Sequence, residues 1–351
     1  NHALIVNNSI KFGGAERQVV RCLSSTQFTK NLVVWNVNVN NPSNSFIEQV
    51  DVLGLLIYDY AVAREIEHKE FPQEIERILS YIPHSTPFNP DITSKIKNLT
   101  SIIIEDRPTT LHLWQDTTSV LGAIAGLIAG VPKIVMSARS LPPFADEEST
   151  FPDKGPNYYF NNRFVRSLYR SLLLKENVFL CHNSENGRNK YIEWLGGFED
   201  KMLLLRNGFD FSTSIEDVKV QSSDSKTVGV VFRFVEVKQP LLWLDVAFGV
   251  LEHRPNVRFK MVGDGPMMDA AINHAKGLGI SASVDFLGYR DDVEAILPSF
   301  DVFLLTSAIE GLPNVLIEAQ SKGIPVQKFR IRNLVWGYLI NLKLVSEKAL
   351  L

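Results

Sequence analysis

The fold is decided by the stretch that reads Val302-Phe-Leu-Leu-Thr-Ser-Ala-Ile-Glu-Gly-Leu-Pro-Asn-Val-Leu-Ile-Glu318. Its apolar beginning predicts a buried strand, and the part from Pro313 to about Lys322 predicts a helix. Glu310 precedes this helix, and Glu318 lies roughly 7.5 Å along its axis from Pro313, at about 1.5 Å per residue. The free N–H groups and the dipole of the first helical turn attract phosphate. The spacing therefore predicts a nucleotide-sugar held between the two carboxylates.

Short apolar runs that alternate with helical patterns extend this arrangement over the chain. The runs occupy residues 3–6, 32–35, 53–58, 110–114, 133–136, 178–181, 227–232, 258–262, 284–287 and 302–305. Such alternation is typical of a parallel sheet with helices on both faces. We predict an α/β fold of two Rossmann-like, doubly wound domains that face a central cleft. The first covers residues 1–211, a serine-rich linker covers 212–226, and the second covers 227–351.

The bulk composition excludes several classes of protein. A net charge of -3 over 351 residues gives no reason to expect a nucleic-acid partner. The two cysteines, Cys22 and Cys181, form no Cys-x-x-Cys motif, which favours a cytoplasmic compartment and argues against structural zinc. The most apolar segment, residues 120–131, is shorter than the ~20 residues that cross a membrane. We therefore expect that segment to form a buried helix.

A pair of cations follows the first strand predicted in the second domain. Arg233 and Lys238 flank Phe-Val-Glu-Val directly after residues 227–232, so both leave the carboxyl end of that strand. Departure of a nucleoside diphosphate from a sugar develops negative charge, which fixed cations and N–H donors stabilise. The alternative is that both are solvated surface charges. Because Glu310 and Glu318 follow at a suitable interval, we favour a diphosphate site.

Two glycine turns connect predicted strands to helices. Gly13 and Gly14 expose backbone amides that could cradle a phosphate or admit an acceptor, and a purely structural turn is the alternative. Gly263 lies in the turn Val262-Gly-Asp-Gly-Pro266, for which a structural role and a contact to the nucleotide both remain open.

Two further features have both a functional and a structural interpretation. His112 lies near the end of the strand at 110–114. It could reach the cleft and act in catalysis, or it could be a structural residue whose ring is hydrogen-bonded within the fold. The predicted helix over residues 160–175 has a basic face that could meet anionic lipid headgroups, or it could be an ordinary amphipathic helix of the domain.

Taken together, these motifs resemble the retaining glycosyltransferases of family four, which have the GT-B architecture. The resemblance covers residues 1–326 and rests on an ordered set of elements: Gly13-Gly14-Ala-Glu16, Asn207-Gly208, Arg233 to Lys238, Val262 to Pro266, Phe286-Leu-Gly288, and Glu310 with Glu318. It implies transfer of a sugar from a nucleotide-sugar to an acceptor hydroxyl with retention at the anomeric carbon, without a metal or other cofactor.

The resemblance also assigns roles to residues. It implies that Arg233 and Lys238 bind the donor diphosphate, that Glu310 contacts the donor sugar and that Glu318 holds the ribose hydroxyls. The amides of Gly311 and Leu312 would assist the diphosphate, and the Gly13-Gly14 turn would lie near the donor phosphate and the acceptor. A UDP-sugar is the expected donor.

Three departures from the family pattern affect these expectations. Phe232 stands where the family has glycine and is expected to crowd the phosphate. Trp114 stands where the family often has histidine, which removes a hydrogen bond to the sugar. Residues 327–351 do not match the family's continuation, so the second domain is expected to be incomplete.

Three functions follow as hypotheses. The first is a hexosyltransferase of polysaccharide or glycan biosynthesis, acting on a glycan or lipid-linked acceptor in the cytoplasm or peripherally at the inner membrane face. The second is an inactive, truncated remnant with residual nucleotide binding. An epimerase that acts on the nucleotide-sugar itself fits the motifs less well.

Overall fold

The chain forms two compact units, and each has its own parallel sheet. The computed structural model describes residues 2–25, 27–35, 45–62, 91–142, 162–209, 225–308, 310 and 312–328. The units are Asn1–Phe209 and Asp210–Leu351, so the division falls near the end of the predicted first domain at residue 211. Residues 210–224, which include most of the predicted linker, lie outside the described residues.

The first unit alternates strands and helices along the sequence. Its elements are β1 (His2–Asn7), α1 (Gly14–Ser24), β2 (Thr29–Val34), α2 (Ile47–Asp51), β3 (Ile57–Asp59), α3 (Asp91–Asp106), β4 (Thr110–Trp114), α4 (Asp116–Ile128), β5 (Lys133–Ala138), α5 (Asn162–Leu173), β6 (Val178–His182), α6 (Glu185–Leu195), a 3-10 turn (Glu199–Lys201) and β7 (Met202–Leu204). The strands form one sheet in the order β3-β2-β1-β4-β5-β6-β7, and every pair is parallel.

Helices cover both faces of this sheet, as the residues of β1 demonstrate. Leu4 and Val6 belong to a core cluster with α3, α4 and α5, whereas Ile5 belongs to a second cluster with α1 and α2. Successive residues of a strand point to opposite faces, so a strand that is apolar at every position must be covered twice. The continuous apolar runs in the sequence therefore reflect a sheet buried between two helical layers.

The strand order contains a topological switch point between β1 and β4. From β1 the chain proceeds to β2 and β3 on one side, and from β4 it proceeds to β5, β6 and β7 on the other. In sheets of this type, ligands bind outside the carboxyl ends of the strands next to such a point. For the first unit, this places the functional edge at the ends of β1 and β4, which are Asn7 and Trp114.

The second unit repeats the pattern on a smaller scale. Its elements are β8 (Thr227–Val231), a 3-10 turn (Glu236–Lys238), α7 (Pro240–Leu251), β9 (Arg258–Val262), α8 (Met268–Gly277), a 3-10 turn (Ser281–Ser283), β10 (Val284–Gly288), α9 (Val293–Ile296), a 3-10 turn (Leu297–Ser299), β11 (Val302–Leu305), α10 (Asn314–Ser321) and β12 (Val326–Lys328). All strands are parallel, in the order β10-β9-β8-β11-β12, and their core is built around Trp243, Phe259 and Phe303. The switch point here lies between β8 and β11.

The predicted doubly wound architecture is confirmed in both units, with differences at individual elements. The run at 53–58 was expected to be a strand, but only Ile57–Asp59 is extended, and Leu56 is 60% exposed. The short strands β7 and β12 were not predicted: β12 has no apolar run, whereas β7 begins the four-residue apolar run at 202–205, which the prediction missed.

The helix of the deciding stretch begins one position later than predicted. Pro313 is extended, with φ of -72° and ψ of 105°. It is the N-cap residue of α10, and the first helical residue is Asn314. Gly323 follows the helix with φ of +73°, as expected for a glycine at that position. The predicted departure of residues 327–351 from the family pattern falls almost entirely on residues 329–351, which lie outside the described residues.

Candidate functional site

Lys238 and Glu310 form an ion pair at the switch point of the second unit. Their Nζ and Oε1 atoms are 2.5 Å apart although the residues are 72 positions apart in sequence. Lys238 ends the 3-10 turn that follows β8, and Glu310 follows β11, which is the neighbouring strand. The side chains are only 24% and 11% exposed. Strand adjacency therefore brings together two of the residues that were predicted to contact the donor.

A buried hydroxyl fixes the two loops that carry this pair. Thr306 Oγ1 lies 3.0 Å from the carbonyl oxygen of Lys238 and 3.2 Å from that of Gln239, so its one proton is shared between them. The amide of Ala308 also donates to the carbonyl of Val237, at 2.9 Å. Thr306 is fully buried. Sequence reasoning missed this residue, and its position directly after an apolar strand was the available signal.

Arg233 points away from the core of the second unit. Phe232 and Phe234 on either side of it are buried and pack edge to face, with ring centroids 5.1 Å apart. Because successive side chains point in alternate directions here, Arg233 is exposed. It makes no ion pair with any described carboxylate. The expectation that Phe232 crowds the phosphate is wrong, because its ring lies in the core cluster. Diphosphate binding by Arg233 stays a prediction.

The turn after β9 is built around Gly263. Its φ is +128°, and a Cβ at this position would lie 1.9 Å from the carbonyl oxygen of Phe232. Its N–H donates to the carbonyl of Gly288 at 2.7 Å, so that N–H is already engaged. These contacts give Gly263 a clear structural role in joining the loops after β8, β9 and β10. A contact between Gly263 and the donor stays a prediction.

Helix α10 carries Glu318, the second of the two glutamates predicted to bind the donor. Glu318 is partly buried and lies about 6 Å along the axis from Asn314, the first helical residue. Leu312 is partly buried just before the helix, whereas Gly311 lies outside the described residues. The ribose contact of Glu318 and the diphosphate contacts of the Gly311 and Leu312 amides therefore stay predictions.

In the first unit, a carboxylate of the chain itself lies against the glycine turn. A Cβ on Gly13 would lie 2.2 Å from Glu16 Oε2, and Glu16 Oε1 accepts a hydrogen bond of 2.7 Å from Gln115 Nε2. Gly13 precedes α1 in an extended conformation. The predicted phosphate or acceptor role of Gly13 and Gly14 is not tested by these contacts, but any anion bound there would lie close to Glu16.

His112 is held as a neutral imidazole. Its Nε2 lies 2.7 Å from Ser137 Oγ, which in turn lies 2.9 Å from Cys181 Sγ. Although the residue is only partly buried, dense packing around the ring and then the charge of Arg139 lower the pKa of His112 to about 3. Near neutral pH the imidazole can thus exchange hydrogen bonds but carries no charge. A catalytic role for His112 stays a prediction.

Comparison with known proteins shows which proteins the chain is similar to. Residues 212–327 match the family model described as Glycosyl transferases group 1. The chain is 31% identical over 359 aligned residues to the Vi polysaccharide biosynthesis protein VipC/TviE of Salmonella typhi, an alignment that covers 92% of this chain and 58% of that protein. It is 28% identical to a UDP-Gal:alpha-D-GlcNAc-diphosphoundecaprenol alpha-1,3-galactosyltransferase of Escherichia coli. That alignment covers 66% of this chain and 62% of the galactosyltransferase. The chain thus spans less than two thirds of the length of both relatives.

Solved structures define the fold. Anabaena Alr3699/HepE in complex with UDP and glucose superposes with a TM-score of 0.67 at 18% identity, covering 93% of this chain and 80% of that one. A complex of a Staphylococcus aureus TarM mutant superposes with a TM-score of 0.64 at 12% identity. This superposition covers 93% of this chain and 85% of the TarM chain. The fold is GT-B. More particularly, the second unit carries a glycosyl transferases group 1 domain.

Metal-binding clusters and membrane-spanning helices are both missing from the described residues. No group of three or more His, Cys, Asp or Glu side chains in this part of the chain could hold a metal ion. None of its helices has the length and apolar character needed to cross a membrane.

Proposed function

We propose that the protein is a hexosyltransferase that moves a sugar from a nucleotide-sugar to an acceptor hydroxyl in polysaccharide or glycan biosynthesis. The observation that carries the proposal is the 2.5 Å contact between Lys238 and Glu310. It lies at the carboxyl edge of the sheet, at a switch point, within residues that match the group 1 family. The names of the relatives, a polysaccharide biosynthesis protein and a galactosyltransferase, support the same reaction.

The ion pair suits a site that must bind a diphosphate and then a sugar. The ammonium group of Lys238 has three donors, so it can hold Glu310 and a phosphate oxygen at the same time. Without a donor bound, Lys238 neutralises Glu310, which would otherwise be a largely buried carboxylate. When a diphosphate shares the ammonium, Glu310 becomes available to accept a hydrogen bond from a sugar hydroxyl.

The reaction proceeds with retention and without a metal. The bond between the anomeric carbon and the diphosphate oxygen breaks, and a bond to the acceptor oxygen forms on the same face of the sugar. The acceptor proton passes to the departing diphosphate. Lys238, Arg233 and the amides before α10 stabilise the charge that develops on the leaving group. This is the chemistry of family four, to which we assign the chain.

The donor is a UDP-sugar and the acceptor is a glycan or a lipid-linked glycan. HepE has been solved in complex with UDP and with UDP-glucose, and the Escherichia coli relative is named for a diphosphoundecaprenol-linked substrate. A lipid-linked acceptor would bring a cytoplasmic enzyme to the inner face of the membrane, where it would bind peripherally.

A donor screen tests the proposal. UDP-, GDP- and ADP-sugars are incubated with the wild-type chain, and release of the nucleoside diphosphate is measured with a glycan acceptor and without one. Calorimetry measures the affinity for UDP. We expect turnover and binding with UDP, and Lys238→Gln should weaken UDP binding about 10- to 100-fold, because a charged hydrogen bond is lost. Lys276→Gln, the same change on the exposed part of α8, is the matched control.

Glu310→Gln separates binding from transfer. Without the competing carboxylate, Lys238 is released to the diphosphate, so UDP affinity should rise about two- to fivefold. Transfer should fall roughly 100-fold, because the neutral amide of glutamine accepts a hydrogen bond from the sugar less strongly than the carboxylate and has no negative charge to stabilise the transition state. Unchanged turnover in Lys238→Gln and Glu310→Gln would refute this site. UDP binding without turnover in the wild-type chain would favour the alternative of an inactive protein with residual nucleotide binding.

A further inference from the structure

A cluster of polar side chains that the proposed transfer does not use lies at the carboxyl edge of the sheet in the first unit. We call it the Arg139 cluster, and it consists of Asn7, Gln18, Trp114, Arg139 and Asn207. Asn7 and Trp114 are the last residues of β1 and β4, the adjacent strands that form the switch point. Arg139 directly follows β5, the next strand in the sheet.

No carboxylate in the described part of the chain balances the positive charge of Arg139. Its Cζ lies 3.7 Å from the centre of the Trp114 ring, and Nη1 donates to the neutral amide oxygen of Asn207 at 2.7 Å. Its Nε is buried and has no hydrogen-bond partner, and Arg139 pairs with no described acidic side chain. Burial lowers the pKa of Arg139 to about 10, so the side chain stays charged at neutral pH. A shielded, unpaired cation is costly unless a ligand pairs with it.

Two more N–H donors in the cluster lack an acceptor. Trp114 is 3% exposed and its Nε1 has no partner, and Gln18 is 4% exposed and its Nε2 has none. Gln18 Oε1 accepts from the amide of Gly208 at 2.9 Å, which ties Gln18 to the residue after Asn207. Buried donors are normally satisfied, so three unpaired donors in one cluster call for a group rich in acceptors. Asn7 Oδ1 is the exception, because it is an unpaired acceptor.

The backbone at this edge is also unusual. Gln115, directly after Trp114, has φ of +71°, a conformation that non-glycine residues rarely adopt. Its side-chain amide donates a hydrogen bond of 2.7 Å to Glu16 Oε1, which ties the turn before α1 to the end of β4. Such strain is concentrated at functional sites.

We propose that the Arg139 cluster binds an oxyanion, a phosphate or a carboxylate, carried by the acceptor. Guanidinium, indole and amide N–H groups are the donors that such a group accepts, and Asn7 Oδ1 can accept from a hydroxyl beside it. The assignment to the acceptor rests on the proposed function, because the donor diphosphate is assigned to Lys238 in the other unit. Binding of the oxyanion itself does not depend on transfer.

The test measures binding of simple probes in a protein whose diphosphate site has been disabled. Inorganic phosphate and D-glucuronate are titrated by calorimetry into Lys238→Gln and into the double variant Lys238→Gln/Arg139→Gln. We expect one or both probes to bind the first protein and Arg139→Gln to weaken that binding about 10- to 100-fold. Phosphate binding alone points to a phosphorylated or diphosphate-linked acceptor, and glucuronate binding points to an acidic sugar.

Two further variants guard against indirect effects. Trp114→Phe keeps a ring under the guanidinium but removes Nε1–H, so it should weaken the probe severalfold without loss of folding. Arg166→Gln removes an exposed charge from the same unit and should leave binding unchanged. Equal affinity with and without Arg139, or no binding of either probe to Lys238→Gln, would overturn the proposal. UDP titrated into Arg139→Gln reports on the proposed function separately, because retained UDP binding shows that the diphosphate site is intact.

Discussion

At the scale of single residues, the structure separates side chains that bear charge from those that cannot. Lys238 and Glu310 are a paired cation and anion, Arg139 is a cation with no anion among the described residues, and His112 is neutral. The difference comes from what surrounds each group. A carboxylate 2.5 Å away stabilises an ammonium, whereas burial beside a guanidinium disfavours an imidazolium.

His112 makes stability depend on pH in a defined direction. The pKa of His112 in the folded protein, about 3, lies below the ordinary value of 6.5. Between pH 3 and pH 6.5 the unfolded chain therefore binds more protons than the folded chain. The stability that comes from a neutral His112 is complete above pH 6.5 and is lost as the pH falls from 6.5 towards 3. The wild-type chain should therefore lose up to about 2 kcal/mol more between pH 7 and pH 5 than His112→Gln.

Urea unfolding at the two pH values, followed by far-UV circular dichroism, measures this difference. Since other groups titrate in both proteins, the comparison between wild type and variant isolates His112. An identical pH dependence in the two proteins would contradict the lowered pKa of His112. The rate of sugar transfer should also show no change between pH 5 and pH 8 that comes from titration of His112.

At the scale of elements, the loops after β8, β9, β10 and β11 act as one assembly. Gly263 accommodates the carbonyl of Phe232, the amide of Phe234 donates to the carbonyl of Asp264 at 3.0 Å, and Thr306 holds the end of the loop after β8. Lys238 therefore meets Glu310 because backbone hydrogen bonds fix both loops, and not only because the two charges attract.

Gly263→Ala should disrupt this assembly. The new Cβ would collide with a carbonyl oxygen at 1.9 Å, and alanine disfavours φ of +128°. We expect a loss of about 2–3 kcal/mol of stability in the second unit, together with weaker UDP binding. Denaturant unfolding and calorimetry measure the two effects.

Gly277→Ala is the matched control for this prediction. Gly277 lies in α8, where a Cβ would have no heavy atom within 4 Å. The substitution should be neutral or stabilise by up to about 1 kcal/mol, because alanine has the higher helix propensity. If both variants were equally stable, the close approach of Gly263 to Phe232 would not be needed for folding.

At the scale of the whole molecule, each unit has its own core. The first has two clusters on opposite faces of a seven-stranded sheet, and the second has one large cluster around its five strands. Both described cysteines are free thiols. Packing within each unit, and not a covalent link, therefore supplies the stability of the described part.

A chain that contains only residues 1–209 should fold by itself. Its sheet is covered on both faces, and a unit of this size buries enough apolar surface to be stable. Far-UV circular dichroism should give a mixed α/β spectrum and one cooperative thermal transition. A broad, non-cooperative melt with binding of a hydrophobic dye would contradict the prediction.

The sequence by itself determined the alternation of strands and helices, the two doubly wound units and the identity of the residues at their strand ends. These features are local, because an apolar period and a glycine or proline at a boundary act over a few positions. Lys238 and Glu310 could be predicted for the same reason, since each lies in the loop after a strand whose carboxyl end is a natural ligand site.

Only the tertiary structure decided which of these residues meet. Arg139 and Asn207 are 68 positions apart, and Glu16 and Gln115 are 99 positions apart, so no local pattern relates them. Their contacts depend on strand order and register, which bring the ends of β1, β4 and β5 and the segment after β7 to one edge of the sheet. The lowered pKa of His112 and the burial of the Arg139 Nε without a partner among the described residues arise in the same way, because burial is a property of the packed molecule and not of the residue.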